Sequence, residues 1–131
     1  MNYYIKIILI LIFYCIINPV FTSLYLSISG LPGGNVGMIP YGILLANMIA
    51  TLISLLILYL IRLKKTIGIN LSIATNNLIY IITLIYFGLN PFFDEMGKDY
   101  AKLDFVILLS SFLSSIIAVV VFKIVHARCS N

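Results

Sequence analysis

The sequence predicts an all-α fold: an integral membrane four-helix bundle, up-down-up-down, with both termini on the cytoplasmic side. Three observations carry that expectation. Hydrophobic residues make up 63% of the 131 positions and charged residues only 9%, whereas soluble domains average about 45–50% apolar and about 25% charged. The apolar residues gather into four runs, each near the length of about 20 helical residues that crosses a hydrocarbon core. Lys and Arg collect where those runs end rather than on a solvated face. So few charges cannot cover a water-exposed surface, but lipid solvates apolar side chains directly. The length suits one unit, read as a single polytopic membrane domain over 1–131.

The first span is read from Ile5 to Ile28, with Lys6 at its start. It runs on past an ordinary signal-peptide core, and VFTSLYLS offers no small-x-small cleavage pattern, so it is read as retained. Pro19 lies inside it. Proline has no N–H, so the carbonyl of Cys15 loses its helical partner, and the amide of Asn18 stands beside the break to satisfy it. A charge-free connector, SGLPGGNVGMIPYG, follows. Its glycines and prolines oppose regular structure, and they match neither a P-loop nor a dinucleotide fingerprint.

The second span, Tyr41 to Ile61, ends at the basic cluster Arg62, Lys64 and Lys65. The third runs from Thr66 to Leu89. Asn90-Pro91 then reads as a cap and first helical position. The segment that follows, to Asp104, places Phe93, Met96, Tyr100 and Leu103 on one side and Asp94, Lys98 and Lys102 on the other. That pattern predicts a short amphipathic outer stretch over 90–104. The fourth span is read from Phe105 to Val125.

Charge sets the orientation. Lys6, Arg62, Lys64, Lys65, Lys123 and Arg128 fall on one side of a four-pass arrangement. Lys98 and Lys102 fall on the other, beside Asp94, Glu95, Asp99 and Asp104. Lys and Arg favour the cytoplasmic side, which predicts an inner-membrane protein with both ends inside. Tyr3, Tyr4, Tyr41, Tyr59, Phe92, Phe93, Phe105 and Phe122 lie near span ends, as interfacial aromatic belts do.

No ionisable side chain lies near the middle of any span. Proton- and cation-coupled transport usually needs one there. No Ser/His/Asp set, carboxylate pair or clustered Cys/His ligands is present at membrane depth, so neither an enzyme, a metal site nor a cofactor is expected. Cys15 and Cys129 are read as free thiols. The basic balance of +4 is topogenic in placement, so nucleic acid is not an expected partner.

The spans do carry uncharged polarity at similar depth. Asn18 has Cys15 and Thr22 on its face. Asn47, Thr51 and Ser54 recur at helical spacing, as do Ser72, Asn76 and Thr83, with Asn77 adjacent. Ser110, Ser111, Ser114 and Ser115 precede Ala118. Such spacings put residues on one helix face. A midplane polar layer of Asn18, Asn47, Thr51, Asn76, Asn77, Ser111, Ser114 and Ser115 is therefore expected, either as interhelical packing or as a path for a solute. Small residues four apart, such as Ala46 and Ala50, let backbones approach.

Two function classes follow. The first is a small non-catalytic membrane protein acting by protein contacts, as an accessory subunit or an immunity-type protective protein. Its candidate recognition surface is the outer loop carrying Asp94, Glu95 and Asp99. The second is an oligomeric channel or transporter for a small neutral solute or an ion, built on the shared polar depth. Lipid is the common partner of both, with a protein partner or a homo-oligomer beside it.

Overall fold

A computed structural model describes residues 3–30, 37–62, 68–87 and 98–129. They form four helices: α1 (Tyr3–Ser29), α2 (Ile39–Arg62), α3 (Ile69–Tyr86) and α4 (Lys98–Cys129). Each contains a stretch long and apolar enough to cross a membrane. Isoleucine-rich runs of this kind are only average helix formers in water. Their backbone groups find no partners in hydrocarbon, however, and a helix satisfies them within the segment.

The helix ends have local causes. Gly30 follows α1 at φ 64°, the left-handed conformation that terminates many helices and that glycine adopts without strain. Pro40 sits in the first turn of α2, where its missing N–H leaves no bond unmade. Gly68 caps α3 with extended backbone. Its carbonyl accepts both the Ser72 amide and the Ser72 hydroxyl at 3.1 Å. At the other end of α3 the Phe87 amide donates to the Thr83 carbonyl at 3.1 Å.

Two helix starts differ from the sequence reading by three residues or more. The third helix begins at Ile69 rather than Thr66 and has 18 residues, or about 27 Å at the usual rise, just under the thickness of a hydrocarbon core. The fourth begins at Lys98 and has 32 residues. Residues 98–104, expected in a separate amphipathic segment, are its first turns. Nothing between Gly97 and Phe105 breaks a helix, and continuing it avoids a second set of unsatisfied helix ends. The rest of that segment, residues 90–97, lies outside the described residues. Pro19 is accommodated within a continuous α1.

α1 packs extensively on α2 and α4 and also touches α3, while α2 packs on α3 and α3 on α4. Two apolar clusters form. The first joins Ile7, Ile10, Leu11 and Tyr14 of α1 to Leu58, Ile73 and Ala118. The second joins Ile43, Ala46 and Ala50 of α2 to Tyr80, Leu84, Leu103 and Ile107, with Tyr25 and Leu26 of α1 against it. The outer surface is as apolar as these clusters: Leu9, Ile12, Ile16, Val20 and Leu24 form an exposed stripe along α1, and Leu45, Met48, Leu52 and Leu56 one along α2.

Candidate functional site

Much of the uncharged polarity of the four helices is turned inward, while Ser23, Ser27 and Asn70 are exposed. Asn18, Thr22, Asn47, Ser54, Ser72, Asn76, Ser111 and Ser114 are fully enclosed. Thr51, Asn77, Thr83 and Ser110 are also buried, and Ser115 is half-buried. Along the chain this polarity lies mostly between the two apolar clusters. On α1, Asn18 falls between Tyr14 and Tyr25. On α3, Asn76 and Asn77 fall between Ile73 and Tyr80. On α4, Ser110 to Ser115 fall between Ile107 and Ala118.

Two hydrogen-bonded runs cross the interior. In one, the Tyr14 hydroxyl donates to Asn77 Oδ1 at 3.3 Å. Asn77 Nδ2 donates to Ser115 Oγ at 3.0 Å, and Ser115 Oγ donates to the Ser111 carbonyl at 2.9 Å. This run ties α1, α3 and α4 together. In the other, Ser110 Oγ stands 2.7 Å from Asn18 Oδ1 and also 2.7 Å from the Ile107 carbonyl. A hydroxyl has one proton, so it serves one of these acceptors at a time. Thr22 Oγ1 lies 3.4 Å from Ser110 Oγ and can donate to it. This run ties α1 to α4.

Other hydroxyls bond back to their own helix. Ser54 donates to the Ala50 carbonyl at 2.7 Å, Thr83 to Ile79 at 2.8 Å and Ser114 to Ser110 at 2.7 Å. Such bonds satisfy the hydroxyl without joining helices.

Among the described residues, seven buried polar atoms are orphaned. Both ends of the Asn47 amide, both ends of the Asn76 amide, Asn18 Nδ2, Thr51 Oγ1 and the Tyr80 hydroxyl are buried without a hydrogen-bond partner. Asn18 Nδ2 therefore does not close the gap left by Pro19. The Tyr80 hydroxyl lies beside the Asn18 side chain without reaching bonding geometry. An unsatisfied buried group costs about 1–3 kcal/mol. The seven atoms together would thus rival the whole margin of about 5–15 kcal/mol by which folded proteins are stable.

Sequence reasoning passed over two members of this layer. Tyr14 and Tyr80 are fully buried, and their rings meet edge to face at 6.4 Å. Tyrosine in a membrane segment reads first as an interfacial anchor. The signal was nevertheless present: Tyr14 precedes Asn18 by four residues and Tyr80 follows Asn76 by four, so each shares a face with an asparagine.

Of the acidic candidates, Asp99 lies in the first turn of α4, while Asp94 and Glu95 lie outside the described residues. Among the described residues no three His, Cys, Asp or Glu side chains come together as a metal site would need. Cys15 is a buried free thiol. A groove of about 530 Å³ opens sideways between α3 and α4. It is walled by Leu78, Ile81, Phe112 and Ile116 and includes the Asn77 and Ser115 pair.

Comparison with known proteins returns no match to a protein family, to a curated protein or to a solved structure.

Proposed function

We propose that the chain is a small, non-catalytic, multi-pass membrane protein that acts through contacts with other proteins. Within that class it is an accessory subunit or a protective, immunity-type protein of a cell (inner) membrane. The observation that carries this reading is the pair of apolar clusters that flank the polar layer along the helices. Leu11, Leu58 and Ala118 belong to the apolar cluster on one side of it, and Ile43, Leu84 and Leu103 to the cluster on the other. A polar path through one chain would have to cross both. The outward stripes of α1 and α2 are apolar, so a pore formed between copies along those faces would be apolar too.

The same clusters support an up-down-up-down course. The beginning of α1 meets the end of α2, the beginning of α3 and the end of α4, while the end of α1 meets the opposite halves. With Lys6, Arg62 and Lys123 then at one level, the basic excess favours a cytoplasmic N- and C-terminus. The outer connection would present Asp94, Glu95 and Asp99 to a partner.

A second reading, an oligomeric channel or transporter for a small neutral solute or ion, is favoured by one feature: the unpaired amides of Asn47 and Asn76. Reconstitution into liposomes separates the two. Under the contact reading the vesicles hold potassium, sodium and small-polyol gradients as tightly as empty ones. Protein-dependent flux that Asn76→Leu abolishes, with the variant still folded, would overturn it. Neutralising Asp94, Glu95 and Asp99 to Asn is expected to release whatever protein copurifies. Unchanged retention would remove the outer loop as the recognition surface.

A further inference from the structure

We propose that the slot between the first turns of α1 and the last turns of α4 holds an anionic phospholipid, its phosphate on Lys6 and part of an acyl chain along the apolar walls. The slot has a volume of about 200 Å³. Lys6, Leu9 and Phe13 of α1 line one wall, and Ala118, Val121 and Val125 of α4 the other. Early residues of α1 thus meet late residues of α4, as they do in the first apolar cluster. Tyr25 and Leu26 pack instead against the cluster that contains Leu103 and Ile107. Lys6 and Val125 therefore mark the end of the slot nearest the helix ends, and Phe13 and Ala118 its deep end. Lys6 to Phe13 covers about 10 Å at the usual helical rise, within the roughly 15 Å that half a hydrocarbon core provides. A phospholipid has the same polarity along the same direction, with its charge at the surface and its chain beneath.

The chemistry selects this occupant. Apart from Lys6, every residue lining the slot is apolar. Lys6 is half-buried, so its stem lies on the wall while its ammonium reaches toward the surface. The four acidic residues all lie near the start of α4, and the slot is at the far end of that helix. Among the described residues no acidic side chain therefore reaches the ammonium. A phosphodiester supplies the missing charge and accepts the ammonium protons, and basic pockets between membrane helices take lipid head groups in this way. Free phosphate would meet Lys6 but leave the walls unfilled. An apolar partner helix would cover the walls but leave the ammonium without a counter-charge. A zwitterionic phospholipid brings its own cation to the phosphate. The larger groove between α3 and α4 has no charged residue in its lining, so it offers a head group nothing comparable. The inference stands apart from the functional reading above, since it needs neither a protein partner nor a particular orientation.

Native mass spectrometry of the full chain in a mild detergent tests it, after circular dichroism has established native helix content for each variant. The probes are phosphatidylglycerol, phosphatidylcholine with the same acyl chains, and inorganic phosphate. Micelles have no sides, so the result does not depend on which way a variant inserts in cells. The expected result is saturable retention of phosphatidylglycerol ahead of phosphatidylcholine. Lys6→Gln should weaken that retention about five-fold, as about 1 kcal/mol per basic residue at a membrane implies. Lys123 is exposed and absent from the slot. It lies two positions from both Val121 and Val125, hence on the opposite side of α4. Lys123→Gln removes the same charge and should change retention by less than about two-fold. Val121→Phe, which fills the slot and keeps Lys6, should also weaken it. Equal losses in the two lysine variants would overturn the proposal, because lipid would then follow net charge alone. Equal retention of the two lipids would overturn it as well. Displacement of the lipid by inorganic phosphate would identify a plain anion site instead, and unchanged retention in Val121→Phe would remove the slot as the seat of the chain.

Discussion

The polar layer has two sides built in different ways. On the side of α1 and α4 the side chains find one another: Ser110 reaches Asn18, Thr22 reaches Ser110, and Tyr14 links through Asn77 to Ser115. On the side of α2, Ser54 bonds only to its own helix, and Asn47 and Thr51, like Asn76 across on α3, have no partner. Burial is alike on the two sides and does not explain the difference; residue type does. Serine is short and lets α1 and α4 close on it, and its hydroxyl adapts by rotation. An asparagine amide needs several partners at fixed angles, and an apolar neighbour provides none. Equal depth therefore does not mean equal role: one side fastens helices to one another, and the other does not.

The sharpest way to break this contrast is Asn77→Leu. It removes the acceptor of Tyr14 and the donor to Ser115 together, and strands a buried tyrosine hydroxyl. A loss of about 1–3 kcal/mol is expected, read from denaturation by SDS in mixed micelles. A loss near zero would mean that the paired side is no stronger than the other. Ser110→Ala should come next. It breaks the bonds to Asn18 and Thr22, each expected to contribute about 0.6 kcal/mol in a helix bundle in lipid. The total is then about 1 kcal/mol by the same measurement.

How far this was legible in the sequence follows from what periodicity encodes. Four apolar runs, their lengths and the Gly/Pro-rich connector that holds Gly30 and Pro40 are local properties, and the helices follow them closely, whereas Gly68, read inside the third span, caps it instead. The spacing of Asn47, Thr51 and Ser54, or of Ser72 and Asn76, assigns a face to each helix, and those positions are buried. What spacing cannot encode is the register of one helix against another. Asn18 bonds to Ser110, 92 residues away, and Tyr14 to Asn77, 63 away. One turn of sliding would exchange those partners while leaving every helix face unchanged. The start of α4 was obscured for another reason. The charges of Lys98, Asp99, Lys102 and Asp104 suggested a separate surface segment, but charge alone does not end a helix, and residues 98–104 run straight into the span.

Smaller effects sharpen the comparison. Tyr14→Phe keeps the ring contact with Tyr80 and removes only the hydroxyl, so it should cost about 0.6 kcal/mol. In a cycle with Asn77→Leu the two losses should not add, because each removes the same bond. Additivity would show that the 3.3 Å contact carries no energy.

The smallest change is expected at Asn47→Leu, although its side chain is as enclosed as any in the layer. Leucine is close to asparagine in shape, and Asn47 has no protein group to strand when it leaves. No protein hydrogen bond is lost and a polar group leaves an apolar surround, so destabilisation should not exceed about 0.5 kcal/mol. The direction is informative. Clear stabilisation would mean that the native amide is dry and unsatisfied. Destabilisation as large as that of Asn77→Leu would mean that Asn47 holds a direct partner, and the two sides of the layer would then be built alike. A change near zero, with Asn77→Leu costly, would place the fastening of these helices on the α1, α3 and α4 side and leave α2 held by its apolar contacts with Tyr80 and Leu84.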